Sequence, residues 1–135
     1  LMLYIMFDLK RLGLGPRGLV CGLEQMIINC LSTYGIEAKG SRDAPGVYVG
    51  EAKICSIGLR VRRGCSFHGL AFNVSMDTTP FQWINPCGYK GLAITQIAEY
   101  TSTDIRDVQA NVISCLSQQF GFNACQFEST LPKDT

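Results

Sequence analysis

Two consecutive segments with strand-like sequence, 53–61 and 66–74, restrict the possible folds of this chain more than any other feature. Gly64 separates them, and a turn at Gly50-Glu51 joins the first of them to an earlier apolar segment, Gly46–Val49. Strand-like runs separated by short turns that contain glycine are typical of antiparallel hairpins. The middle of the chain is therefore predicted to be a β-sheet of consecutive strands.

Two amphipathic helices are predicted on either side of this strand-rich region. The first begins at Pro16 and is ended by Gly35, because apolar residues recur between them at spacings of three and four. The second is capped by Thr103 and stopped by Gly121. The first residues, 1–7, are a continuous apolar run typical of a central strand. The shorter predicted elements are a strand at 36–38, a helix at 93–100 and a strand at 122–127.

The composition is that of one globular domain, residues 1–135, with 47% apolar and 17% charged residues. A net charge of +1 does not indicate a nucleic-acid surface, and no stretch approaches the roughly 20 apolar residues of a membrane helix. The seven cysteines are odd in number and lack a C-x-x-C spacing, so we expect reduced thiols and a cytoplasmic protein. Because the chain starts with Leu1 inside a predicted strand, we also expect it to lack its N-terminal portion.

The turn Asn85-Pro86-Cys87-Gly88 presents a thiol. Pro86 fixes its own φ and favours an extended Asn85, while Gly88 lets the backbone bend tightly beside the sulfur. Most free cysteines are buried and inert, so a thiol in such a turn is a candidate nucleophile. Turn chemistry alone also explains the other three residues, and an incidental thiol remains the structural alternative.

Lys53 is the second candidate catalytic residue. In a regular strand, period-two alternation places Lys53 on the apolar face with Cys55 and Ile57. A lysine there either lies near a strand end and extends its ammonium group to water, or holds that group beside a thiol and favours the thiolate.

Small residues lie on the other face of the same two segments. Ser56 and Gly58 alternate on the first segment, and Gly69 and Ala71 on the second. If these segments pair, a slot lined by small groups results, which could admit an extended apolar chain. Glycine within a strand can equally mark a bulge.

Other chemistry receives weaker support. Cys65, His68 and Cys87 are possible zinc ligands, but the C-x-x-H spacing is weak and a fourth ligand is not evident. A Cys-His nucleophile pair would use His68, which has no visible orienting partner. Phosphate-binding glycine motifs are absent. The remaining option is Cys87 as the nucleophile with Lys53 as its activator.

Four segments, 46–50, 53–58, 63–73 and 84–88, resemble those of the lipoyl(octanoyl) transferases in order and approximate spacing. The resemblance runs from about residue 1 to residue 100 and is looser beyond. It implies an α/β (α+β) fold similar to biotin and lipoate protein ligases, with helices packed on a mixed β-sheet. The family's earlier Arg-Gly-Gly and His-Gly-Pro-Gly-Gln region, which completes the acyl pocket, has no counterpart in this sequence.

The resemblance also implies an activity. The family moves an octanoyl group from octanoyl-acyl carrier protein to a lysine of lipoyl domains, in 2-oxoacid dehydrogenases and in the glycine cleavage H protein. No cofactor or metal is implied. By this resemblance Cys87 forms the acyl thioester, and Lys53 favours its thiolate and moves protons. The implied substrate-binding residues are Ser56, Ile57, Gly58, His68, Gly69, Leu70 and Ala71.

Two competing functions stay open at this point. An ATP-using lipoate or biotin ligase would share the fold but would need a nucleotide site and no cysteine nucleophile. A truncated, non-catalytic binding domain would keep the fold without the chemistry. In either active case, the neighbouring Arg60, Arg62 and Arg63 could steer an acidic partner such as acyl carrier protein.

Overall fold

The computed structural model describes residues 1–41, 45–75 and 93–121. Within these residues the strands form one sheet in the order β1-β5-β4-β3-β2, and β6 pairs with β4 off this path. The strands are β1 (Met2–Tyr4), β2 (Lys39–Gly40), β3 (Gly46–Val49), β4 (Ala52–Arg62), β5 (Cys65–Phe72) and β6 (Ala93–Ile94). Among the strand pairs that the structure describes, only β4–β6 is parallel, so the sheet is mixed.

The β4–β5 hairpin is the longest pairing in this sheet and confirms the predicted consecutive strands. Its register runs from Cys55 opposite Phe72 to Arg62 opposite Cys65. The connecting residues Arg63 and Gly64 both have positive φ, 54° and 77°. Two such residues in a row match the twist of an antiparallel hairpin. The tight turn fixes the register, and the register fixes which residues share a face.

Three α-helices accompany the sheet in the described part of the chain: α1 (Leu9–Leu12), α2 (Pro16–Ser32) and α3 (Ile105–Phe120). The predicted α2 is confirmed, and its buried stripe is Leu19, Leu23, Met26, Ile27, Cys30 and Leu31. This stripe contributes to one core with inward residues of β4 and β5 and with Val108 and Val112 of α3. Since α2 contacts both the strands and α3, it forms the layer between them.

The prediction of a central strand at 1–7 is wrong. Strand β1 covers only Met2–Tyr4, pairs with β5 alone, and ends the strand order within the described residues. Met2, Tyr4 and Met6 are 60%, 73% and 80% exposed, whereas Ile5 is buried. A continuous run of apolar residues shows no polar–apolar alternation. The sequence therefore could not distinguish a strand buried on both faces from a strand buried on one face.

Other element boundaries also differ from the predictions. Residues 36–38 are not a strand, and β2 begins directly after them at Lys39. The predicted helix at 93–100 is instead β6 followed by a single 3₁₀ turn, Ile97–Glu99. Asp104, not Thr103, caps α3, because its carboxylate accepts a hydrogen bond from the Arg106 amide at 2.9 Å. The predicted strand at 122–127 lies outside the described residues.

Among the residues that the structure describes, none of the helices has the length and apolarity that crossing a membrane would require.

Candidate functional site

A β-bulge at Ile54 decides where Lys53 points. On the neighbouring strand Val47 and Tyr48 are consecutive, but their partners on β4 are Cys55 and Lys53, so Ile54 is extra. Consecutive residues of a strand face opposite sides of the sheet, so Lys53 lies on the side opposite to Cys55. Ile54 and Cys55 are both fully buried in the core. The prediction that Lys53 shares the apolar face with Cys55 and Ile57 is therefore wrong.

Lys53 is nevertheless buried, with 2% of its surface exposed. Its Nζ lies 5.6 Å from the centre of the Tyr48 ring, a distance at which the ring face attracts a cation. Beside it, Gly46 has a φ of 154°, and a Cβ at that position would lie 2.7 Å from the Cys55 carbonyl oxygen and 3.3 Å from Lys53 Cε. Glycine at position 46 thus leaves room for both the bulge and the lysine side chain. The alternative in which Lys53 extends to water is excluded by its burial.

The small residues predicted to form a slot do face each other across β4 and β5. Ser56 pairs with Ala71, and Gly58 pairs with Gly69. Above them lies an open groove with a volume of about 490 Å³. It is lined by Met2, Leu3, Tyr4, Ser56, Gly58, Leu59, Arg60, Gly69, Leu70 and Ala71. The exposed apolar side chains of β1 therefore belong to the rim of this groove.

Lys53 and the groove occupy the same face of the sheet. Ser56 pairs with Gly46 on one side and with Ala71 on the other, so these three residues share a face. Gly46 is the residue whose Cα faces the Lys53 side chain. The bulge thus turns the lysine away from the core and toward the row of small residues, a known use of bulges beside functional sites.

The two glycines of the groove floor have different structural roles. A Cβ on Gly69 would collide with the Leu3 carbonyl oxygen of β1, so the close approach of β1 and β5 requires glycine there. A Cβ on Gly58 would meet nothing within 4 Å among the described residues. Packing within this part of the chain therefore does not explain glycine at position 58.

Cys55 is a packed thiol. It is fully buried, and burial raises its pKa to about 12, against the opposing effect of the positive charge of Lys53. A thiol with such a pKa stays protonated at neutral pH, so it is a poor nucleophile. Cys30 on α2 behaves in the same way, because burial raises its pKa to about 12 and Cys115 adds to the rise.

The remaining site predictions divide into three groups. Ile57 and Leu70 are buried in the core cluster, so Ile57 supports the groove from beneath instead of lining it, while Leu70 does both. His68 is described only by its backbone, which pairs with Leu59. Cys87 and its turn lie outside the described residues, so the Lys53–Cys87 pair stays a prediction.

Sequence reasoning missed Gly46, Tyr48, Met2 and Tyr4. The first two surround Lys53 only because of the bulge, and the last two reach the groove only because β1 pairs with β5. Within the described residues no group of three or more His, Cys, Asp or Glu side chains could hold a metal ion.

The family model for the lipoyl protein ligase A/B catalytic domain matches residues 1–120. An octanoyltransferase of Hahella chejuensis is 51% identical over 139 residues, which cover 99% of this chain and 60% of that protein. An octanoyltransferase of Coxiella burnetii is 52% identical over 124 residues, which cover 91% of this chain and 51% of that protein. The chain thus spans between half and three fifths of the length of these curated relatives.

Solved structures confirm the predicted fold class at low sequence identity. A lipoate-protein ligase A bound with ATP superposes with a TM-score of 0.71 at 15% identity, covering 87% of this chain and 50% of that one. A biotin protein ligase from Aquifex aeolicus superposes with a TM-score of 0.67 at 18% identity. The superposition covers 87% of this chain and 51% of that one. The family model matches residues 1–120, and the chain therefore belongs to the lipoyl protein ligase A/B catalytic domain family.

Proposed function

We propose that this chain carries the octanoyl-transfer centre of a cytoplasmic octanoyltransferase of lipoate biosynthesis. It would take the octanoyl group from octanoyl-acyl carrier protein and pass it to a lysine of a lipoyl domain, in 2-oxoacid dehydrogenases or the glycine cleavage H protein. One observation carries this proposal: Lys53 is buried and turned by a bulge onto the face that holds an open groove of small residues. The octanoyltransferase relatives, which are 51% and 52% identical to this chain, support the same substrate class.

In the first proposed step, the Cys87 thiolate attacks the carbonyl carbon of the octanoyl thioester. A carbon–sulfur bond to Cys87 forms, the bond to the sulfur of the carrier breaks, and the carrier thiolate takes up a proton from the Lys53 ammonium group, which leaves Lys53 neutral. A thioester is exchanged for a thioester, so no ATP is required. The ammonium group of Lys53 would stabilise the attacking thiolate.

In the second step, the amine of the acceptor lysine attacks the Cys87 thioester. An amide bond forms, the carbon–sulfur bond breaks, and the Cys87 thiolate is released. The amine loses one proton, which Lys53 in its neutral form accepts. The resulting ammonium then lies ready to stabilise the regenerated thiolate, and the two steps predict ping-pong kinetics.

The experiment is intact-protein mass spectrometry after incubation with octanoyl-acyl carrier protein. We expect a mass increase of one octanoyl group that is lost in Cys87→Ala. Cys65→Ala is the matched control, since Cys65 is an exposed free thiol on β5 and should leave the adduct unchanged. An adduct that persists in Cys87→Ala would assign the chemistry to another thiol.

Two further outcomes separate the competing functions. Acylation that requires ATP would favour a ligase over a transferase. An unmodified wild-type chain that also fails to transfer octanoyl to a lipoyl domain would favour a non-catalytic binding domain.

A further inference from the structure

The strand register orders the positions along the groove, from the side nearer Lys53 to Arg60. Two successive rows of residues cross the sheet, each with small residues on β4 and β5 and a large side chain on β1. The first row is Gly46, Ser56, Ala71 and Met2, and the second is Gly58, Gly69 and Tyr4. The rows lie about 7 Å apart, which is two residues of an antiparallel strand.

Lys53 lies beyond one end of the groove and is not among its lining residues. Its Cε would contact a Cβ built on Gly46, so the lysine side chain lies beside the first row. Arg60 marks the other end, because it follows Gly58 by two residues on the same face and also lines the groove. Moving from Lys53, one therefore meets the Ser56 row, then the Gly58 row, and then a cationic end.

We infer that Gly58 sets the length of the acyl chain that the groove accepts. The acyl chain lies with its carbonyl end toward Lys53 and its terminal carbons over Gly58. This inference rests on the proposed acyl transfer, because only that reaction requires the carbonyl end to lie near Lys53.

The contrast between the two floor glycines supports this role. The approach of β1 explains Gly69, but no described neighbour explains Gly58, where a Cβ would project into open space. A glycine in the middle of a strand lowers stability relative to alanine. The groove gives a reason for this loss, since any larger side chain at position 58 would occupy the space above the second row.

The test measures binding of S-acyl-N-acetylcysteamine thioesters from butanoyl to decanoyl by isothermal titration calorimetry. In Gly58→Val we expect affinity for the octanoyl and decanoyl thioesters to fall about tenfold or more, with the butanoyl thioester unaffected. In Gly58→Ala the affinity for the octanoyl and decanoyl thioesters should lie between those of the wild type and Gly58→Val. Ser56→Val, in the row nearer Lys53, should weaken all lengths together.

Gly15→Val is the matched control for the glycine substitution. Gly15 precedes α2, has extended backbone angles and has no neighbour within 4 Å of a built Cβ. It lies outside the groove lining, so its length profile should equal that of the wild type. Thermal melts of all four variants confirm that each one is folded.

The outcomes test the role of Gly58 and the proposed transfer reaction separately. An unchanged length profile in both Gly58 variants overturns the inference, as does a wild type that binds no thioester. If instead Ser56→Val rejects only the long chains and Gly58→Val rejects all lengths, the acyl chain lies in the opposite direction. Length-dependent binding without a covalent adduct at Cys87 would refute the transfer reaction and leave the role of Gly58 intact.

Discussion

The two faces of the β4–β5 pair are built from opposite kinds of residue. The inward face presents Cys55, Ile57, Leu70 and Phe72, all buried in the core under α2. The outward face presents Ser56, Gly58, Gly69 and Ala71, which leave a groove. The same two strands thus supply a buried core and an open groove, because their side chains alternate.

This comparison shows that strand alternation alone does not determine the face on which the Lys53 ammonium group lies. A regular β4 would bury Lys53 in the core beside Cys55, where an ammonium group is costly to hold. The bulge at Ile54 exchanges the two positions, so an isoleucine enters the core and the lysine moves to the groove face. The predictions below test this division between the two faces.

The largest expected effect is on catalysis. Lys53→Met should slow octanoyl transfer about 1000-fold, since a positioned acid–base group typically contributes 10²–10⁴-fold. Lys53→Arg should not restore the rate, because a guanidinium group does not give up its proton. The rate is measured by transfer of octanoyl to a lipoyl domain, with a thermal melt as the folding control. A Lys53→Met chain within about threefold of wild type would exclude the proposed role.

The next largest effect separates the two groove glycines by stability. Gly69→Ala should lower the free energy of unfolding by about 3 kcal/mol, because its Cβ collides with the Leu3 carbonyl and displaces β1. Gly58→Ala should instead raise that free energy by about 0.5 kcal/mol, because its Cβ would contact none of the described residues and alanine restricts the unfolded chain. Urea denaturation measures both variants. Equal effects at the two positions would mean that β1 does not pack on β5 as described.

A third prediction concerns the pH dependence of the core face. Burial raises the pKa of Cys55 and of Cys30 to about 12, from a reference value of 9.0. Both thiols thus hold their protons more tightly in the folded state than in the unfolded state. Their contribution to stability is complete below about pH 9 and is lost as the pH rises toward 12.

Urea midpoints between pH 8 and about pH 11 measure this loss. Cys55→Val has a similar volume and nothing to ionise, so its midpoint should fall less steeply than that of the wild type. Parallel slopes for the two chains would show that Cys55 ionises as freely when folded as when unfolded.

The smallest expected effect is at the hairpin tip. Arg62 and Arg63 are exposed and lie about 30 Å from Lys53, so under the proposed function they would act on an acidic carrier through their field and not at the reacting thioester. Reversing both charges to Glu should raise the apparent KM for octanoyl-acyl carrier protein about threefold and flatten its salt dependence. Arg106→Glu, an exposed position on α3, is the control. No change in either quantity would exclude steering at this site.

Sequence predicted the parts of the fold that depend on local pattern. Helix α2 follows from apolar residues spaced by three and four, and the β4–β5 hairpin follows from two runs separated at Gly64. The small residues of the groove floor were therefore predictable. The pairing of Ser56 with Ala71 and of Gly58 with Gly69 depends on the observed two-residue turn, because that turn fixes the register.

Other features gave no local signal. Strand β1 is apolar on both faces, so its sequence does not reveal that Met2 and Tyr4 are exposed. The pairs β2–β3 and β4–β6 involve strands of two residues each, β2 and β6, too short for a periodic pattern. Such elements form because a neighbouring strand provides hydrogen-bond partners, which is information that lies far along the chain.

By itself, the sequence determined the hairpin, the main helices, the small residues of the groove and the candidate pair Lys53 and Cys87. Only the tertiary structure decided which way Lys53 points. That direction depends on one extra residue in the pairing of β4 with β3, and a bulge is visible only in the register between two strands. One extra residue in a strand moves the side chains of the preceding residues to the opposite face of the sheet, because the side-chain period of a strand is two.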